Sequence, residues 1–108
     1  MIEKDLKELA ISAKLHQYQG HIVLAICDEE LLGKTLNNNG VPFRISKFFY
    51  GGPVMDEDSL VKLILQVGNI NVLGKRSVLL LRSLGLVKGD EISIIDGIEH
   101  VQIYKIVQ

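Results

Sequence analysis

"HIVLAIC", residues 21–27, decides how the rest of the chain is read. After the histidine every position is apolar, without the alternation of a strand that faces water on one side. A run of this kind marks a strand covered on both faces, so something must pack on each side of its sheet. Upstream, Ile11 to Tyr18 does alternate, with Ile11, Ala13 and Leu15 on one face and Ser12, Lys14 and His16 on the other. Gln19-Gly20 between the two segments reads as a tight turn. A β-hairpin is therefore expected at the start of the fold.

Asp28-Glu29-Glu30 follows the apolar run directly. Acidic residues suit the positive end of a helix dipole and Asp28 is a good N-cap, which predicts a first helix through Leu31, Leu32 and Leu36. "NNNG" at 37–40 would stop it. Phe43 to Phe49 reads as a third strand and "YGGP" at 50–53 as a turn. Asp56-Glu57-Asp58 repeats the acidic opening for a second helix through Val67, with Asp58, Lys62 and Gln66 as its polar stripe and Gly68 as its stop. "NINVLG", 69–74, reads as a connection to a third helix from Lys75 to Leu84, closed by Gly85. Glu91 to Ile95 and Ile98 to Val107 flank Asp96-Gly97, the strongest hairpin turn in the chain. This order predicts an α+β fold: a small mixed β-sheet of two β-hairpins plus a middle strand, with three helices packed on it. Residues 1–10 carry Ile2, Leu6 and Leu9 among charges and read as an N-terminal extension or arm, ahead of a single compact domain over 11–108.

Apolar residues make up 47% of the chain, enough for one core without metal or disulfide support. The surplus would also allow a homo-oligomer contact through apolar helix surface. Twelve basic against thirteen acidic side chains leave a net charge of -1. A nucleic-acid partner would then have to be held through a local basic patch, because phosphate neutralisation supplies most of that affinity. Cys27 is the single cysteine, which excludes an internal disulfide and fits a reducing cytosol. "MIEKDLKELA" lacks the apolar stretch of a signal peptide. The blocks "LVKLILQV" and "VLLLRSLGLV" are broken by charge and too short to span a bilayer. A soluble cytoplasmic protein without a membrane partner is expected. His16, His21 and His100 lack metal-ligand spacing, so neither metal nor cofactor is implied.

Two stretches invite a nucleotide reading: "LLGKTL" at 31–36 and "LGKRS" at 73–77. A phosphate-cradling loop needs a glycine five positions before its Gly-Lys, and those positions hold Asp28 and Asn69. Gly33 is read instead as a glycine that lets another element approach. Gly74, Lys75, Arg76 and Ser77 are placed at a helix N-terminus, where free N–H groups and the dipole favour an anion. Two cations there oppose the dipole. A bound phosphate or a neighbouring carboxylate would resolve the conflict; otherwise both side chains reach solvent or pair with nearby acidic helix starts. This is the candidate anion site, with Tyr50, Gly51, Gly52, Asp28 and His100 as adjoining surface. Tyr50 offers a hydroxyl or a stacking face, or is simply the end of a strand. His100 shares one strand face with Gln102 and Tyr104, either a binding surface or a solvent side.

"AICDEELLGK", "FYGG", "NVLGKRSV" and "HVQI", in this order and spacing, resemble the small archaeal family named domain of unknown function 424, over His16 to Ile106. The resemblance implies a cytosolic protein of mixed α and β fold and an association with the translation apparatus. It supplies no established activity and no catalytic residues. Its pattern highlights Asp28, Glu29, Gly33, Lys34, Tyr50, Gly51, Gly52, Gly74, Lys75 and Arg76. The resulting expectation is a non-enzymatic binding module. It would contact RNA phosphate through Gly74, Lys75 and Arg76, with Arg44, Lys47 and Arg82 completing the patch, or dock on a translation-machinery protein. The alternatives are a small enzyme on a phosphate-bearing substrate, with Asp28 or His100 as acid or base, and a protein–protein adaptor using the second and third helices.

Overall fold

The structure, a computed structural model, describes residues 10–106. The expected arm over 1–10 thus lies, apart from Ala10, outside the described residues. Among the described residues there are seven strands: β1 (Ile11–Tyr18), β2 (His21–Asp28), β3 (Thr35–Asn38), β4 (Val41–Arg44), β5 (Asn69–Leu73), β6 (Ser93–Ile95) and β7 (Ile98–Tyr104). Three helices accompany them: α1 (Lys47–Tyr50), α2 (Glu57–Gln66) and α3 (Lys75–Ser83). Five strands form one sheet in the order β1-β2-β5-β7-β6, and β3 and β4 pair separately. β2 and β5 run parallel while the other neighbours are antiparallel. The fold is α+β, with a mixed sheet of two hairpins around a middle strand.

The middle strand is not the expected one. Residues 69–73 fill that place, and Phe43 to Phe49 splits into the end of β4 and the single-turn helix α1. "NINVL" does carry a strand period: Ile70 and Val72 are fully buried beneath the helices, while Asn69 and Asn71 face the other way. The turn into α1 is set by Ser46, whose Oγ accepts from the Phe49 N–H at 3.0 Å.

The predicted first helix over 28–36 is also absent. Glu29–Leu31 makes one 3-10 turn, and the chain then enters the β3–β4 hairpin. Asn39 and Gly40 both take positive φ, 54° and 87°, as a two-residue hairpin turn requires. Leu36 and Phe43 are cross-strand partners in that hairpin, so their apolar character belongs to period two rather than to a helical stripe.

Each face of the sheet has its own cover. On one side Leu24, Ile26, Ile70 and Val72 pack beneath Leu60 and Ile64 of α2 and Val78 and Leu81 of α3. Asp56 caps α2, its carboxylate accepting from the Ser59 N–H at 3.2 Å. On the other side Ala25, Cys27 and Leu73 lie under Leu31, Leu36, Ile45 and Tyr50. β2 is therefore covered on both faces, as its sequence requires. This second cover stops partway along the strands. Beyond it His16, Val23, Asn69, Asn71 and Gln102 are only half-buried and Tyr104 is 75% exposed. Leu65 and Leu79 stand exposed on α2 and α3. No helix among the described residues is long and apolar enough to cross a membrane.

Candidate functional site

The start of α3 is built around a glycine and a carboxylate. Gly74 has φ 114° and ψ 150°, a region open essentially to glycine alone. Its N–H donates to the Glu99 carbonyl at 2.8 Å, fixing the turn to β7. Asp28, at the end of β2 and 3% exposed, then reaches the first turn of α3. Its Oδ1 accepts from the Ser77 N–H at 2.8 Å and the Ser77 hydroxyl at 2.7 Å, and its Oδ2 accepts from the Arg76 N–H at 3.1 Å. Asp28 makes no side-chain capping bond to the turn that follows it. The residue expected to cap the first helix caps the third. Gly74, Lys75, Arg76 and Ser77 do come together, and the anion at this helix start is the chain's own carboxylate, one of the two resolutions that the dipole argument offers.

Arg76 turns to Glu30, pairing with its carboxylate, and its Nη2 also donates to the Ala10 carbonyl at 3.3 Å. The guanidinium holds the Glu30 carboxyl below its ordinary value of 4.5, and Lys34 adds to the effect. Glu30 thus lies within reach of charges from both Gly-Lys turns. Because the folded value is depressed, the contribution to stability is present above the unfolded pKa and is lost as pH falls through the folded one. Both groups are largely exposed, so we expect Glu30→Gln to cost no more than about 1 kcal/mol at pH 7. That difference from wild type should shrink steadily in urea titrations taken from pH 5 downward. A cost that persists at full size in acid would remove the pair as its cause. Gly33, with φ 84°, gives way to Lys47: a Cβ there would lie 2.8 Å from the lysine Cε.

The remaining expected surface residues divide. Tyr50 is buried, and burial pushes its hydroxyl up to about 12; its ring is not free to stack. Gly51 closes on the Lys47 carbonyl and Gly52 lets the chain pass against β1, where Ser12 Oγ accepts from the Gly52 N–H at 2.8 Å and donates to the Tyr50 carbonyl at 3.0 Å. Cys27 is fully buried and its thiol is raised to about 12 by burial, then by the neighbouring carboxylates of Asp28 and Glu30. That is an inert core thiol. His100, lowered by burial, pairs in register with Leu73, on the side opposite the helices. Asp28 points toward α3 on the helix side, so the two share no reacting atom as acid and base. The sheet also parts the expected basic patch: Arg82 belongs to α3, Arg44 and Lys47 to the opposite cover. Among the described residues no group of three or more His, Cys, Asp or Glu is placed to hold a metal ion.

The half-open side of the sheet presents the other constellation. Lys14, Ala25, Asn71 and Gln102 form one row across β1, β2, β5 and β7. His16 pairs with Val23 and Asn69 with Tyr104, and the β2–β5 register sets these pairs side by side as the next row. The Tyr50 hydroxyl donates to Asn71 Oδ1 at 2.5 Å, Asn71 Nδ2 donates to Gln102 Oε1 at 2.8 Å, and Gln102 Nε2 donates to Asn69 Oδ1. His16 stacks on Phe49 with ring centroids 4.7 Å apart, held by its Nε2 donating to the Phe49 carbonyl at 2.7 Å. Lys14 Nζ lies 4.3 Å from the centroid of the Phe48 ring, which is 78% exposed. None of the strand residues on this side is acidic.

A family model described as a protein of unknown function (DUF424) matches residues 16–106. The chain belongs to the DUF424 family. It is similar to the crystal structure of an uncharacterized conserved protein from Methanopyrus kandleri, with 33% sequence identity and a TM-score of 0.77. That likeness covers 91% of this chain and 93% of the other. No curated protein matches the chain. Within this DUF424 chain, the residues that sequence reasoning passed over are His16, Asn69 and Asn71. The signal for the asparagines was the alternation of "NINVL", lost when that segment was read as a connection.

Proposed function

We propose that this protein is a non-enzymatic module that binds single-stranded RNA on the half-open side of its sheet. The observation that carries the reading is one surface where imidazole, phenol and carboxamide groups stand together without a carboxylate among them. Single-stranded RNA is recognised through unstacked bases, which stack on aromatic or imidazole rings and hydrogen-bond along their edges. His16, with Phe49 fixed behind it, and Tyr104 stand at opposite ends of a four-strand row. At a strand spacing of about 4.8 Å this row spans roughly 14 Å, room for about two or three bases. The helix start supports the phosphate reading less well, since Asp28 already takes the N–H groups of Arg76 and Ser77 and Arg76 is paired with Glu30. Lys14 at the edge of the face supplies local positive charge. The translation apparatus, the setting implied by the family resemblance, presents such single-stranded RNA.

The test is a fluorescence titration with short labelled single-stranded RNA at several salt concentrations. Tyr104→Ala changes a side chain that is 75% exposed, so the fold should be unaffected. Loss of one stacked base is worth about 1–3 kcal/mol, which predicts affinity lower by at least about fivefold. Lys75→Ala serves as the contrast and should leave affinity within about threefold at moderate salt. Absence of binding at low salt, or a Tyr104→Ala protein that binds like wild type while Lys75→Ala does not, overturns the reading.

A further inference from the structure

We infer that the chain of side-chain amides on this sheet favours pyrimidine bases, because it leaves more hydrogen-bond donors than acceptors free. The inference deepens the RNA reading above and rests on it. The direction of the chain starts at Tyr50. Its hydroxyl, buried against the cover, donates to Asn71 Oδ1 at 2.5 Å. That fixes the Asn71 amide with its nitrogen toward Gln102, whose oxygen accepts at 2.8 Å. Gln102 in turn donates to Asn69 Oδ1. Each carboxamide oxygen thus accepts one bond within the chain and keeps one lone pair, three in all. Each amide nitrogen has two hydrogens and spends at most one on its neighbour, which leaves four, so the donor excess lies at Asn69. Asn69, the last member, keeps both. A polarised chain of this kind resists reversal, since turning one amide would set oxygen against oxygen along the row.

A surface that offers donors suits a ligand edge rich in acceptors. Both pyrimidines present two acceptors on the pairing edge, O2 and O4 in uracil and O2 and N3 in cytosine. Adenine and guanine present one each, N1 and O6. Tyr50 is therefore a positioning residue: it touches no base and sets which way the amides face.

The experiment measures oligouridylate, oligocytidylate and oligoadenylate of equal length, with an abasic phosphodiester chain as a fourth ligand. Wild type is set beside Tyr50→Phe and Asn69→Ala. Wild type should bind both pyrimidine oligomers about tenfold more tightly than oligoadenylate, the worth of one or two hydrogen bonds. Tyr50→Phe removes only the first donor. It should narrow that ratio to about threefold or less while leaving the adenylate affinity unchanged, an effect that simple loss of stability would not produce. Asn69→Ala should narrow it too. Equal binding of all three bases overturns the base-edge inference and leaves the RNA reading standing. So does a pyrimidine preference unchanged in both variants, whereas an abasic chain that binds as tightly as oligouridylate overturns both, since no base would then be stacked. Binding to none of the oligomers overturns both.

Discussion

Replacing Gly74 with alanine is expected to lower stability by about 4 kcal/mol, a large part of the roughly 5–15 kcal/mol available to a domain of this kind. Two independent costs combine. The backbone at φ 114° and ψ 150° lies where a Cβ is strained whatever surrounds it. The added carbon would also fall 2.7 Å from each Asp28 carboxylate oxygen, inside van der Waals contact, and would push the carboxylate off its donors. Thermal unfolding followed by circular dichroism should show a Tm lower by about 15–30 °C. Gly85→Ala provides the comparison. Its φ is also positive, at 77°, but nothing lies within 4 Å of the new carbon. That variant should lose about 1–2 kcal/mol, the backbone cost alone. If the two variants unfold together, the close approach of Asp28 to Gly74 contributes nothing.

Asp28→Ala is expected to cost about 3 kcal/mol, measured by urea denaturation at neutral pH. The carboxylate is almost fully buried and satisfies two backbone donors of α3 and one hydroxyl. Without it those donors remain in a site that water reaches poorly, and the helix loses the negative charge at its positive end. Asp28→Asn should cost less, because its carbonyl can still accept from one or two of the three. Ser77→Ala removes a shared partner, so the Asp28→Ala, Ser77→Ala double variant should lose less than the two single losses added together. Full additivity, or a loss below 1 kcal/mol for Asp28→Ala, would mean that the helix start stands without the latch.

Much of this arrangement was legible in the residues, and the misreadings have physical causes. The terminal hairpins announced themselves through alternation and through Gln19-Gly20 and Asp96-Gly97, and each turn residue takes positive φ. α2 was legible from its acidic opening, polar stripe and glycine stop, and α3 from the glycine that closes it. The segment 28–49 was misread because its leucines and phenylalanines suit either period, and two glutamates after Asp28 imitate a helix start. The Asn39-Gly40 turn was the stronger signal there, and it belongs to a hairpin. Asp28 shows the limit most plainly. Its type and position identify a capping residue, yet its partner Ser77 lies 49 positions further along the chain, a separation no local pattern encodes. The candidate surface was half visible: His100, Gln102 and Tyr104 alternate on one strand, but only the β5 register brings Asn69 and Asn71 beside them.

The parallel pairing of β2 with β5 gives the molecule a temporal order. β2 ends at Asp28 and its inner neighbour begins at Asn69, so roughly forty residues must leave the ribosome between them, a delay of about 2–8 seconds at 5–20 residues per second. Throughout that interval the most apolar strand of the protein has an unpaired edge. The residues made meanwhile are the ones that pack over one of its faces: the β3–β4 hairpin, closed by its own short turn, and Ile45 and Tyr50 behind it. The further bonds of this cover, from the Tyr50 hydroxyl to Asn71 and from the Asn37 N–H to Asp96, wait for the C-terminal half. The insertion between the two parallel strands acts as a built-in escort for β2 until its permanent neighbour arrives.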